Sequence, residues 1–282
     1  MYKFKPILKT LVWGTESWVL SGVPGNESVV AEGPDAGKKI TDIFPGQFPL
    51  LIKFIDAHDD LSIQVHPDDE LAARRHGCKG KTEMWYVISA SEGAHLLSGL
   101  KESIDADKYV ELVESHRIVD ALARYDVSAG DVFYLPAGRI HAIGGGCYIA
   151  EIQETSDITY RIYDYGRLGL DGKPRQLHTQ EARDAIDYTV HPDYRTHYEA
   201  EPDKSVELVK CRHFTTCLLD LTKPFVQELD ACGDFLILIC LEGEGTVNGT
   251  SFKHGEAILL PASDGRAEII PDGHLKLLTT HV

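Results

Sequence analysis

Basic residues are in deficit: 28 Lys+Arg stand against 44 Asp+Glu in 282 residues, a formal charge of −16. A chain this acidic gains nothing from a phosphate backbone or an anionic lipid surface, which argues against nucleic acid or membrane as partners. An anionic small molecule stays open only where a local basic cluster overrides the global field. Cysteine is scarce too. Six stand at 78, 147, 211, 217, 232 and 240, none in a C-x-x-C pair, which does not suit a disulfide scaffold in so long a chain. A reducing, cytoplasmic setting is the expectation. No segment approaches the ~18 uninterrupted apolar residues of a membrane helix. The opening MYKFKPILKTLVWG is broken by lysines before a signal-peptide core can build. There is no G-x-S-x-G elbow and no G-x-x-x-x-G-K-[ST] loop. Gly144-Gly145-Gly146 leads into a strand, not a helix, and reads as a turn.

What is present reads as mainly β. Hydrophobic residues at 43% and charged residues at 26% are ordinary globular values. The length predicts one large domain or two modest ones. PLLIKFI (49–55), LSIQVH (61–66), MWYVIS (84–89), DVFYLP (131–136) and CYIAEIQE (147–154) are rich in β-branched and aromatic residues and separated by Gly, Pro and Asp. This pattern predicts a barrel or sandwich. Three helical insertions interrupt it: 69–76 capped by Asp68, two short helices within 103–125, and 179–187 capped by Thr179. A boundary near 190–205 divides the chain into a domain over 1–200 and a smaller C-terminal β domain over 201–282. A weak repeat links the halves: GDVFYLP runs from Gly130 to Pro136 and GEAILLP from Gly255 to Pro261. Five positions past each proline stand His141 and Arg266, so only the first copy is equipped for chemistry.

Any single one of the 13 histidines is more often a surface or core residue than a ligand, so arrangement decides. On LSIQVH, period-2 alternation puts Ser62, Gln64 and His66 on one face and Leu61, Ile63 and Val65 on the other. Glu83 opens the next strong strand; taken alone it reads as a solvated carboxylate. His141 follows a Pro136–Ile140 turn. Two imidazoles, a carboxylate and an amide oxygen form a mixed N/O set for a borderline divalent ion, suited to Lewis-acid work. Trp85 reads as barrel core, and Trp13 and Trp18 as anchors of the N-terminal segment rather than sugar platforms.

Gly130-x5-Pro136-x-Gly138-x2-His141 resembles the second cupin motif, and Gln64-x-His66 with Glu83 a stretched first one. LSIQVHPDDELA, GKTEMWYVI, LPAGRIHAI and AEIQETSDITYRIYDYGR together resemble type I mannose-6-phosphate isomerases in their short bacterial form. The resemblance implies a cupin jelly-roll barrel and one zinc ion per chain on Gln64, His66, Glu83 and His141. It also implies catalytic or substrate roles for Ser62, Lys81, Glu151, Asp157 and Arg161. The implied substrate is a phosphorylated hexose; a monomer or a homodimer is expected, and the sequence does not choose between them. Asp69 stands where the long eukaryotic form has a lysine, and residues 103–125 are all that could replace that form's helical insertion. The chemistry agrees, since an aldose–ketose isomerisation needs an electrophile at the developing oxyanion and a group to shuttle the proton. Arg161 and Lys81 are the cations suited to hold phosphate or developing charge. Without the resemblance, Asp157 and Arg161 read as an exposed ion pair worth ~0–1 kcal/mol. An iron-dependent cupin oxygenase and a sugar-phosphate-binding protein without turnover are the rival readings.

Overall fold

The computed structural model describes residues 1–282. Contacts divide the chain into two units. One comprises Leu8–Ser17 and Leu50–Arg195; the other comprises Met1–Ile7, Trp18–Pro49 and Thr196–Val282. The contiguous division at residue 200 therefore misplaces two N-terminal segments. The reason is a strand pairing: Tyr2–Lys5 adds to Ala257–Pro261, with Tyr2 opposite Leu259, inside the sheet built by the C-terminal residues.

In the first unit, two antiparallel sheets carry the site. The strands Val132–Leu135, Glu83–Ala90, Cys147–Glu154 and Leu50–Ala57 are consecutive neighbours in one sheet. The other runs Tyr160–Tyr163, Ile63–Val65, His141–Ile143, His95–Leu100 and Leu122–Asp126. Trp85, Phe133, Ile149 and Ile55 from the first sheet and Leu96 and Ile143 from the second share one buried core. This is the jelly-roll arrangement of the cupin class.

The outer face of the second sheet explains the Q-x-H pattern. Ile63, Val65, Ala142 and Ile162 pack with Tyr109, Leu112 and Ala182, residues of the helices Ala106–Glu114 and Thr179–Ala185. The insertions thus roof one face with apolar side chains, and alternation turns Gln64 and His141 inward. Leu61 departs from the predicted face, since it precedes the strand and packs with Trp13 and Ile143 instead.

The helix Asp69–His76 forms as expected, with Asp68 Oδ1 accepting from the Leu71 N–H at 2.8 Å. Two helical expectations need correction. Residues 103–125 do hold two short helices, the α-helix Ala106–Glu114 and the 3-10 helix Ile118–Ala121, but the helical span ends there; Leu122–Asp126 is a strand, because Leu122 pairs with Leu100 and Tyr125 with Leu96. Thr179 is the first helical residue, not the cap; His178 precedes it and supplies no capping side chain.

The second unit is one antiparallel sheet dominated by Phe235–Val247 and Arg266–His281, which pair along most of their length. Leu238, Phe252, Ile258 and Leu277 lie in its core. Ala257–Pro261 in the second copy of the repeat is a strand, as Val132–Leu135 is in the first, and Arg266 is exposed at the start of the next strand.

Candidate metal centre

Cross-strand register brings the polar residues of the first unit together. Along one row, Phe133, Trp85, Glu151 and Lys53 lie opposite one another across four strands; two residues along, in the next row on the same face, come Leu135, Glu83, Gln153 and Leu51. In the other sheet, Gln64 stands opposite both His141 and Arg161. The seventeen positions from His66 to Glu83 are absorbed by the helix Asp69–His76 and a tight return. There Gly80 passes so close to Asp68 and Asp69 that a Cβ would meet backbone at 2.6 Å, and the Lys81 N–H donates to Pro67 O. Gly138, at φ +89°, makes the second approach: its N–H donates to His66 O at 2.9 Å and delivers His141 to the same place.

The result is a buried cluster. His66, Glu83 and His141 bring ligand atoms within 4.8 Å of one another, and none is more than 2% exposed. His141 Nε2 lies 3.2 Å from Glu83 Oε1, and His66 Nε2 3.5 Å from Glu83 Oε2. The solvated reading of Glu83 is therefore overturned. Each imidazole donates its Nδ1–H to a backbone carbonyl at 2.8 Å, His66 to Ile158 and His141 to Arg139, which leaves Nε2 as the lone-pair nitrogen. Burial first, and then the Lys81 charge, lower both imidazole pKa values, that of His141 to about 3. Glu83 is raised by burial first and then by Glu151.

Two buried atoms of this cluster, Glu83 Oε1 and His141 Nε2, have no hydrogen-bond partner. Buried polar atoms without partners are costly, and two neutral imidazoles facing a carboxylate are a donor set that a divalent cation completes. The residues fit a metal. Lys81 donates to Glu83 Oε2, and its ammonium lies 2.9 Å from His66 Nε2.

Beside the cluster lies a cavity of about 150 Å³ whose wall includes Ser62, Gln64, Lys81, Glu151, Asp157 and Arg161. All the sequence-derived substrate residues therefore face one space. Arg161 is not tied to Asp157; its Nη1 donates to Gln176 O at 3.0 Å. Trp85 is core as expected and donates Nε1–H to Glu151 Oε2 at 2.8 Å, whereas Trp13, read as an anchor, also lines the cavity. Sequence reasoning missed Lys53, Glu16 and Arg175 on the same wall. A signal existed for Lys53, the lone charge inside the apolar run PLLIKFI. It is 6% exposed and pairs with Glu151 at 2.9 Å. Burial alone would lower the Lys53 pKa and raise that of Glu151, but their mutual attraction reverses both, so the pair stays ionised.

A jelly roll holding an imidazole–carboxylate cluster beside a polar cavity defines a cupin-class protein with a candidate metal centre. Comparison with known proteins narrows this. Residues 15–92 match the family model of the type I phosphomannose isomerase catalytic domain, and residues 204–282 that of the mannose-6-phosphate isomerase cupin domain. Mannose-6-phosphate isomerase ManA of Bacillus subtilis is 32% identical, the alignment covering 99% of this chain and 98% of the relative. The Streptococcus mutans mannose-6-phosphate isomerase is 31% identical over 94% and 88%. A crystal structure of the Bacillus subtilis mannose 6-phosphate isomerase aligns with a TM-score of 0.91 at 30% identity, covering 100% of this chain and 99% of that one. A zinc-bound mannose 6-phosphate isomerase shares the fold with a TM-score of 0.77 at 15% identity over 99% and 98%. The chain belongs to the type I mannose-6-phosphate isomerase family.

Proposed function

We propose that this chain interconverts mannose 6-phosphate and fructose 6-phosphate, moving a proton between C1 and C2 through an enediolate. The observation that carries the reading is the pair of partnerless buried ligand atoms, Glu83 Oε1 and His141 Nε2, beside a cavity lined by Lys53, Lys81 and Arg161. The proposed ligands are Gln64, His66, Glu83 and His141, holding one zinc ion per chain, the metal named for a structure of the same fold. When bound, the ion supplies Lewis-acid polarisation of the substrate's carbonyl and hydroxyl oxygens.

The chain's own residues then divide the remaining work. Both Glu151 oxygens are engaged, one by Lys53 and one by Trp85. Glu151 is thus a poor base, and its role is to hold the Lys53 ammonium against the cavity. Asp157 is the exposed carboxylate of the cavity wall, and proton transfer is assigned to it. Arg161 and Lys81 hold negative charge on the substrate, and the Ser62 hydroxyl orients it. Metal and substrate binding are assigned to the unit of Leu8–Ser17 and Leu50–Arg195. The other unit is assigned no metal on the motif position, because Arg266 occupies the slot of His141. Six free thiols suit a reducing cytoplasm, and no helix is long and apolar enough to cross a membrane.

The test is an isomerase assay on the purified chain, as isolated, after chelation, and after adding back Zn²⁺. Turnover of mannose 6-phosphate that chelation removes and zinc restores is expected. Turnover indifferent to complete metal removal, or no turnover with stoichiometric zinc bound, would overturn the reading.

A further inference from the structure

Arg175 reaches the cavity wall by a route the motifs do not reveal. It lies on the returning arm of a small hairpin, where Leu168 bridges Pro174 and the Gly169 N–H donates to Lys173 O at 2.7 Å. Past the hairpin, the chain is stitched to Arg161. The His178 N–H donates to Arg161 O at 2.7 Å, the Arg161 N–H to His178 Nδ1 at 3.1 Å, and Arg161 Nη1 to Gln176 O at 3.0 Å. Two guanidiniums on either side of the hairpin therefore face the same cavity.

Their settings differ in a way that suggests a division of labour. Asp164, only 6% exposed, grips Arg175 twice: Nε donates to Oδ2 at 2.7 Å and Nη2 to Oδ1 at 2.5 Å. The same carboxylate takes Arg167 Nε at 2.9 Å. The double grip fixes the plane of the Arg175 guanidinium and leaves its Nη1 donors uncommitted. Arg161 forms no ion pair, and its buried Nε has no hydrogen-bond partner. Burial first, and then the like charge of Arg175, disfavour the charged form of Arg161, a strain that a bound anion relieves.

We propose that Arg175 and Arg161 form a two-guanidinium clamp for the substrate's phosphate, with Asp164 as the positioning residue that aims Arg175. The proposal rests on the isomerase reading and adds an orientation to it. The phosphate lies at the Arg161–Arg175 side, and the reacting carbons point toward Lys53 and the His66–Glu83–His141 cluster.

The experiment titrates inorganic phosphate into the metal-loaded full chain by calorimetry and measures turnover of mannose 6-phosphate. Losing a charge-assisted hydrogen bond corresponds to roughly a 10- to 150-fold effect. Arg175→Gln is expected to weaken phosphate binding and raise KM by that factor, with kcat and metal content nearly unchanged. Arg175→Lys should recover little, because an ammonium lacks the fork that grips Asp164 while facing an anion. Asp164→Asn should shift phosphate affinity and KM in the same direction by less. Wild-type phosphate affinity in both folded Arg175 variants, with turnover intact, would overturn the clamp and leave the isomerase reading standing. Arg175-dependent phosphate binding by a chain without turnover would keep the clamp and overturn the isomerase reading.

Discussion

Breaking the Lys53–Glu151 pair should cost far more than removing it. The charges lie 2.9 Å apart, with side chains 6% and 4% exposed. At an effective dielectric constant of about 20, that separation corresponds to about 6 kcal/mol of attraction. Taking both ions out of water costs several kcal/mol each, so the intact pair contributes little net stability. Glu151→Gln keeps the shape and an acceptor for Trp85 Nε1–H but takes away the strongest attraction on the buried Lys53 ammonium, leaving it the weaker pull of Glu16 and Asp157 across the cavity wall. The expected loss is about 3–5 kcal/mol, and Lys53→Met should lose a similar amount by stranding the carboxylate. The double variant Lys53→Met/Glu151→Leu should lose less than either single one. Urea unfolding of the metal-free chain, followed by tryptophan fluorescence, reads all four proteins. Because the Glu151 pKa is lowered on folding, its contribution is complete above the ordinary value of 4.5 and is lost as pH falls through the folded value. Single variants within 1 kcal/mol of wild type, or a double variant losing the sum of the singles, would refute this account.

Glu83→Ala or His141→Ala should remove most bound metal and activity while leaving the β fold, and full metal content by elemental analysis in either would undo the ligand assignment. In the metal-free chain, both lowered imidazoles make stability fall as pH drops below 6.5, while the raised Glu83 opposes them by losing stability as pH climbs above 4.5. Across the chain the lowered imidazoles of His66, His141, His95, His178 and His281 outnumber the raised carboxyls of Glu83 and Glu154, so the urea midpoint in chelator should be higher at pH 7 than at pH 5, and the reverse order would contradict these electrostatics. Asp157→Asn should lower kcat by at least ~100-fold with phosphate binding intact, whereas Arg161→Ala should lose about 10- to 150-fold in kcat/KM that Arg161→Lys does not restore. Steady-state kinetics at constant metal occupancy separates the two, and near-normal turnover in either would return that residue to an incidental place on the rim.

The strands and the inward direction of Gln64 were legible in the residues because side-chain direction along a strand has a period of two; Ser62 and His66 flank the short strand Ile63–Val65. Asp68 was legible as a cap because capping is a local hydrogen bond, here to the Leu71 N–H. Motif order pointed to Glu83 and His141. Only the tertiary structure decided that Glu83 is buried, since its burial comes from cross-strand neighbours far away in sequence. The same holds for Lys53, whose charge in an apolar run is an anomaly until Glu151 arrives opposite it across the sheet. Arg175 depended on a hairpin folding back onto Arg161, and the place of Tyr2–Lys5 on a partner strand more than 250 residues away. Periodicity, caps and motifs are properties of neighbours along the chain. Burial, ion pairing and the outline of a unit arise from residues that meet only on folding, and no local pattern carries them.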